Sequence, residues 1–119
     1  MNKEELESRT FAFALRVIRF VSVFPRHTVA DILGRQLVKA GTSVGANYRE
    51  ANGAESRDDF IHKIAIVAKE AAESGYWLEL CLQTPVGDSS EAVQLLKESK
   101  ELMAIFTACG KTAKANRVQ

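Results

Sequence analysis

Hydrophobic residues recur mainly at the 3.6-residue spacing of an α-helix, in four segments that are separated by three polar breaks. The breaks are FPRHT at 24–28, NGAES at 52–56 and TPVGDSS at 84–90. Two of them contain a proline, which ends a helix because it has no backbone N–H to donate. The pattern predicts four helices, at about 5–23, 29–51, 57–84 and 89–113, followed by a flexible basic tail at 114–119.

Two of the predicted helix starts carry side chains suited to capping, Ser56 with Asp59 and Asp88 with Glu91. Connections this short place consecutive helices beside each other in opposite directions. The sequence has no sustained strand alternation, internal repeat or low-complexity linker. We therefore expect an all-α protein, an up-down-up-down antiparallel four-helix bundle in which residues 1–119 form one domain.

The first helix has more hydrophobic surface than one core-facing stripe requires. Its apolar residues cover an arc of about 220°, compared with roughly 100° for an ordinary surface helix. They form two neighbouring faces, one of Phe11, Ala14, Leu15, Ile18 and Val21 and the other of Phe13, Val17, Phe20 and Phe24. Deep burial would account for both faces, but every helix of a four-helix bundle has an outer side. We expect the second face to be exposed there, and an exposed apolar patch favours self-association over a monomer.

In the second helix a continuous apolar stripe runs through KAGTSVGANYREANG, at 39–53, whose composition is that of a loop. The stripe consists of Leu33, Leu37, Ala40, Val44, Tyr48 and Ala51. Three glycines lie along one side of it: Gly34, Gly41 and Gly45. Because each costs about 1 kcal/mol relative to alanine in a helix, we expect them to permit a close approach by helix 1 and its phenylalanines.

Polar residues line the other side of this stripe, where a neighbouring helix half-buries them. An unpartnered buried polar group costs about 1–3 kcal/mol, so we expect Ser43 and Asn47 to bond to helix 3, most directly to Glu70. The predicted buried polar set is Ser43, Asn47, Glu70 and Ser74. Such a set either fixes the register of two helices or forms a ligand or catalytic site, and we favour the register.

The formal net charge of +1 indicates no overall affinity for polyanions, but the charges are unevenly distributed. Between Thr10 and Arg49 there are six basic residues and a single acid, Asp31. Candidate contacts to nucleic-acid phosphates lie on the first two helices: Arg16, Arg19, Arg35, Lys39 and Arg49. The C-terminal segment adds Lys111, Lys114 and Arg117.

The sequence offers little support for catalysis. Cys81 and Cys109 lack metal-ligand spacing and are too few for a disulfide framework, and no Glu-x-x-His pair of the di-iron type occurs. No glycine loop follows a strand, so a phosphate-binding loop is not expected. We expect no catalytic residue, metal, cofactor or small-molecule substrate. The polar N-terminus and the lack of an apolar run of about 20 residues predict a cytoplasmic protein without membrane contact.

Two segments carry a recognisable pattern, RQLVKAGTSVGANYREA at 35–51 and SRDDFIHKIAIVAKEAAESGYWLEL at 56–80. In helix 2 its residues are Gln36, Leu37, Ala40, Ser43, Val44, Asn47 and Glu50. In helix 3 they are Phe60, Lys63, Lys69, Glu70, Ala71, Glu73, Ser74, Tyr76, Trp77 and Leu78. The pattern resembles that of the 23S rRNA-intervening-sequence proteins, although the glycine after helix 2, Gly53, comes two residues later than in many members.

The resemblance implies a four-helix bundle. The family's name describes where some of its genes lie and not an activity. A similar fold occurs in the accessory proteins of diversity-generating retroelements, which form pentameric barrels with basic surfaces and assist a reverse transcriptase. The resemblance therefore implies a homo-oligomer, with a pentamer favoured.

Two functional hypotheses follow. The first is a non-catalytic oligomeric module that binds RNA or a ribonucleoprotein through basic helix faces. The alternative is a structural or protein-interaction module that binds no nucleic acid. An enzyme is the least favoured class.

Overall fold

The computed structural model describes residues 1–117, which contain four α-helices and no strand. The helices are α1 (Lys3–Ser22), α2 (Thr28–Asn52), α3 (Arg57–Gln83) and α4 (Ser89–Arg117). The predicted all-α four-helix bundle is confirmed, and the predicted boundaries hold closely except at the end of α4. There the helix continues through Arg117, so residues 114–117 are helical rather than a tail. Positions 118 and 119 of the predicted tail lie outside the described residues.

Each helix begins at a side chain that accepts a hydrogen bond from a backbone amide. Ser56 accepts from the amide of Asp59 (3.1 Å), and Asp88 accepts from the amides of the second and third residues after it (2.9 and 3.3 Å). These are the two predicted caps. Asn2 caps α1, and the ring nitrogen Nδ1 of His27 caps α2. Neither of these was predicted, and histidine is not among the preferred capping residues.

Each helix packs beside its neighbours in the sequence, and α4 returns to lie beside α1. Four seams, α1/α2, α2/α3, α3/α4 and α1/α4, therefore surround one core in a bundle of 52 × 22 × 20 Å. The largest fully enclosed side chains come from all four helices: Phe13, Leu37, Ile64, Leu78, Leu95, Leu102 and Phe106.

The α2 stripe predicted from the sequence is buried along its whole length. The three glycines beside it, Gly34, Gly41 and Gly45, lie against α1. A β-carbon at Gly41 would lie 3.0 Å from both methyl groups of Val17, and one at Gly45 would lie 3.2 Å from the Thr10 hydroxyl oxygen. The close approach is therefore made mostly by a β-branched row of α1, and Phe24 is the one phenylalanine that reaches a glycine of this group.

The orientation predicted for α1 is wrong. Phe13, Val17 and Phe20 are only 1%, 0% and 3% exposed, and Phe24 is half-buried, so the face expected outside belongs to the core. The exposed apolar residues are instead on the face expected inside, where Phe11 is 56% exposed and Ile18 is 41% exposed.

Continuity along the helix explains this orientation. The buried row, Leu6, Thr10, Phe13, Val17, Phe20 and Phe24, alternates spacings of four and three over the full length of α1. The row of Phe11 and Ile18 runs into polar residues at both ends, Glu4 and Ser22. A helix that is packed along its whole length buries its longest continuous apolar row.

The turn between α3 and α4 completes the burial of the phenylalanines at the end of α1. The rings of Phe20 and Phe24 meet edge to face with centroids 5.0 Å apart. Gly87 lies against them with a φ of 84°, and a β-carbon there would come within 2.8 Å of Phe20 Cζ. Both the left-handed backbone and the lack of space require glycine at this position.

Candidate binding surfaces

The exposed apolar part of α1 borders a groove of about 350 Å³ in the α1/α2 seam. Phe11 and Ile18 form one wall, and Thr42, Ala46 and Arg49 form the other. The groove exists because glycine at the α2 side of its floor brings the two backbones together. The Arg49 guanidinium lies 5.7 Å from the centre of the Phe11 ring, a cation–π contact that joins the two walls. A surface of this composition suits an apolar partner better than a polar solute.

Four of the five basic residues proposed to contact phosphates are exposed: Arg19, Arg35, Lys39 and Arg49. None of these four forms an ion pair with another described residue. Arg35, Lys39 and Arg49 follow the outer side of α2 over roughly 20 Å at 1.5 Å per residue. Arg19 lies on the outer side of α1 and is separate from this row.

Arg16, the fifth candidate, is engaged within the bundle. Its Nη2 and Nε donate to the Glu91 carboxylate at 2.9 and 3.3 Å across the α1/α4 seam, and this hydrogen bonding raises the pKa of Arg16. Arg9 makes a similar fork to Glu98, with both distances 2.7 Å, and reaches Glu101 at 3.0 Å. Arg16 is therefore a structural residue of the seam, and its positive charge is already paired with the Glu91 carboxylate.

At the C-terminal end, Lys111 and Lys114 are exposed and border a groove of about 240 Å³ between α3 and α4. The side chain of Arg117 lies outside the described residues. These residues are on a different seam from the basic row of α2. The structure therefore does not gather the predicted basic residues into one patch.

The predicted polar network between α2 and α3 is not formed among the described residues. Ser43 donates to the Lys39 carbonyl (2.6 Å) and Asn47 donates to the Ser43 carbonyl (2.8 Å), so each bonds within its own helix. Ser74 is fully buried but donates to the Glu70 carbonyl of its own helix (2.8 Å). Short polar side chains reach the carbonyl four residues earlier without crossing a seam, which is why the local bond replaces the predicted one.

Glu70 is half-buried on the α2/α3 seam. Its pKa is raised, first because burial disfavours the charged carboxylate and second because Glu73 lies close by. Lys39 of α2 partly offsets this effect. The contribution of α2 to Glu70 is therefore a positive charge and not the predicted amide and hydroxyl.

Trp77 has a buried indole nitrogen, Nε1, with no hydrogen-bond partner among residues 1–117. Its ring meets that of Tyr76 edge to face, with centroids 5.0 Å apart. Trp77 is the single tryptophan of the chain, so its fluorescence reports on this part of α3.

A third groove, of about 270 Å³, lies in the same α3/α4 seam as the groove beside Lys111. Between its rims lie Ala72 and Gly75, which have little or no side chain, and the rims carry the exposed Tyr76 and Met103. None of these four residues was predicted to border a binding surface, and the side chain of Met103 lies at the surface of α4. Sequence reasoning therefore missed this groove. The sequence feature that could have indicated it is the pair of small residues on α3, Ala72 and Gly75, which face the small Ser99 of α4.

The described residues contain no assembled catalytic group. Burial raises the pKa of the Cys81 thiol to about 11 and also raises that of Cys109, so neither forms a nucleophilic thiolate readily. No group of three or more His, Cys, Asp or Glu side chains suitable for a metal ion occurs within residues 1–117. Within the same residues, no helix is long and apolar enough to span a bilayer.

By fold, then, the chain is an all-α four-helix bundle protein with shallow grooves along its opposite α1/α2 and α3/α4 seams. The family model of the 23S rRNA-intervening sequence protein matches residues 3–108, and the chain belongs to this family. The resemblance seen in helices 2 and 3 is thereby confirmed. The comparison with curated proteins found no match.

A solved structure supports the same assignment. It is the 1.70 Å crystal structure of a protein with unknown function from the S23 ribosomal protein family of Bacteroides thetaiotaomicron VPI-5482. The two chains are 31% identical, the alignment covers 93% of this chain and 99% of that one, and the TM-score is 0.80. Neither description names a reaction.

Proposed function

We propose that this protein is a non-catalytic module that self-associates and presents basic helix faces to RNA or a ribonucleoprotein in the cytoplasm. The observation that carries the proposal is the exposed apolar pair Phe11 and Ile18 beside the α1/α2 groove. Water contact with two large side chains on one helix face is unfavourable, and a protein partner removes it. The family resemblance favours five subunits.

The molecular mass in solution tests self-association. Phe11 and Ile18 form an exposed ridge on α1. The ridge variant, Phe11→Ser with Ile18→Ser, should be monomeric by light scattering, whereas the wild type should be oligomeric. Val93→Ser is the matched control, because Val93 is a similarly exposed apolar residue on α4. A monomeric wild-type protein at micromolar concentration would reject self-association.

RNA is the proposed ligand because Arg35, Lys39 and Arg49 form an exposed row that makes no ion pair among the described residues. Lysine and arginine side chains that neutralise phosphates release counterions, so binding weakens steeply with salt. Affinity for a structured RNA should therefore fall at least tenfold when the salt concentration is raised from about 50 to about 200 mM.

The variant Arg35→Gln with Lys39→Gln should weaken RNA binding and lower its salt dependence. Lys3→Gln with Lys97→Gln removes the same charge from exposed positions of α1 and α4 and is the control. If an intact oligomer shows no affinity for RNA at low salt, the nucleic-acid role is wrong.

The alternative is a protein-interaction module without nucleic-acid binding, and it is favoured by the near-neutral net charge of +1. It predicts that a protein partner is retained after nuclease treatment. Loss of that partner on nuclease treatment would contradict the alternative and support RNA as the bridge.

A further inference from the structure

We propose that self-association is head to tail: the Phe11–Ile18 ridge of one copy docks into the α3/α4 groove of the next copy. This inference rests on the self-association proposed above and names the surface that the ridge meets. The α1 ridge consists of Phe11 and Ile18, and the α3/α4 groove is the one bordered by Ala72, Gly75, Tyr76 and Met103.

The two surfaces match in shape. Phe11 and Ile18 are seven residues apart, so they lie on one side of α1 about 10 Å from each other at 1.5 Å per residue. The groove offers about 270 Å³, the volume of roughly nine water molecules. Its floor is low because Ala72 and Gly75 have little or no side chain. The large side chains of the α1 ridge would therefore fill the space above the small residues of the α3/α4 groove.

The groove also suits an apolar guest chemically. Ser99 lies beside Gly75, 3.1 Å from where a β-carbon would stand, and is the polar side chain of the floor. Its hydroxyl already donates to the Leu96 carbonyl at 2.8 Å. The floor therefore makes little demand for a new hydrogen bond, and an apolar guest covers no unpartnered donor there.

Charges at the edges point to the same pairing. The ridge is bordered by two exposed basic side chains, Arg19 and Arg49. The α3 rim of the groove carries Glu79, whereas Lys100 stands on the α4 rim. A copy that docks with its basic border toward α3 and away from Lys100 is favoured. Complementary charges of this kind select the orientation more than they add affinity.

The position of the two surfaces determines the type of assembly. The α1/α2 and α3/α4 seams lie on opposite sides of the bundle, so the ridge of a copy cannot reach its own groove. Each copy would use its ridge toward one neighbour and its groove toward the other. Such a heterologous contact closes into a ring when the rotation per subunit allows it.

Complementation between two defective variants tests this arrangement. Ala72→Glu introduces a charge into the groove at an exposed helix position, and the ridge variant retains an intact groove. Each should be monomeric alone. Their equimolar mixture should form a heterodimer of two chains, because the ridge of the Ala72 variant still fits the groove of the ridge variant. Ala115→Glu, an exposed alanine of α4 twelve residues beyond Met103, should remain oligomeric.

The outcomes separate the two proposals. An oligomeric Ala72→Glu protein beside a monomeric ridge variant would overturn the groove assignment and leave self-association intact. A mixture that stays monomeric would also overturn it. A monomeric wild type would reject both. Met103→Glu, on the opposite rim, provides a second groove variant if Ala72→Glu fails to fold by circular dichroism, and the same outcomes apply to it.

Discussion

Gly45 of α2 lies so close to Thr10 of α1 that a β-carbon on residue 45 would stand 3.2 Å from the Thr10 hydroxyl oxygen and 3.4 Å from its carbonyl carbon. Thr10 is fully buried, and its hydroxyl donates to the Leu6 carbonyl at 2.8 Å. The contact therefore brings two backbones together across the α1/α2 seam, and the buried Thr10 hydroxyl keeps a hydrogen-bond partner. The same close approach makes the floor of the α1/α2 groove beside Phe11 and Ile18.

Glycine substitutions should separate packing from helix propensity. Gly41→Ala places a β-carbon 3.0 Å from both methyl groups of the buried Val17, and crowding of a packed core costs about 1–3 kcal/mol. In Gly110→Ala the nearest atom is 3.7 Å away, so we expect a gain of up to about 1 kcal/mol from helix propensity. Urea denaturation followed by Trp77 fluorescence measures both. Stabilisation by both substitutions would contradict the tight α1/α2 seam.

The orientation of α1 predicts different costs for two phenylalanines two residues apart. Phe13→Ala should lower the free energy of unfolding by about 3–5 kcal/mol because it empties a fully packed site. Phe11→Ala should cost much less, and its cost should vary with protein concentration because it arises from self-association. Equal costs that are independent of concentration would mean that Phe11 belongs to the core.

Glu70 should make stability depend on pH. Its folded pKa is raised above the unfolded value of about 4.3, so the unfolded chain loses this proton first as the pH rises. Ionisation of Glu70 therefore lowers stability through this window, and the loss is complete above the folded pKa. Glu70→Gln should stabilise the protein at pH 7 and have little effect below pH 4, which lies below both pKa values.

Thermal unfolding at the two pH values measures this effect. Glu50→Gln is the control, since Glu50 is exposed and Glu70 is half-buried. A lower melting temperature for Glu70→Gln at pH 7 would mean that the carboxylate is stabilised by partners in the folded protein, contrary to the raised pKa.

The α1/α4 seam should be sensitive to salt. The Arg9–Glu98 pair is hydrogen-bonded at both oxygens and about three-quarters buried, so a double-mutant cycle with alanine should give a coupling of about 1 kcal/mol. The more exposed Arg16–Glu91 pair should give less. Both couplings should shrink when salt is raised from 0.1 to 1 M, over which the screening length falls from about 10 to 3 Å. No coupling at Arg9 would mean that apolar packing alone holds the seam.

Much of the fold could be predicted from the order of residues because local rules act over a few positions. Pro25, Pro85 and the caps at Ser56 and Asp88 end and start helices through their own backbone chemistry. The buried stripe of α2 and the glycines beside it could also be predicted, because a helix with one apolar stripe can turn only that stripe toward the core. The exposed surface of α1 could not be predicted in the same way, since α1 carries two apolar stripes and either could face the core.

What the sequence by itself determined is the set of helices, the inward face of α2 and the membership of a family. The tertiary structure decided which stripe of α1 is buried, that Arg16 is held by Glu91, and that Ser43 and Asn47 bond within their own helix. These outcomes depend on which groups of distant segments stand within a few ångströms of each other. Periodicity along one helix carries no information about that distance, and the exposed ridge of Phe11 and Ile18 became visible only when the four helices were packed together.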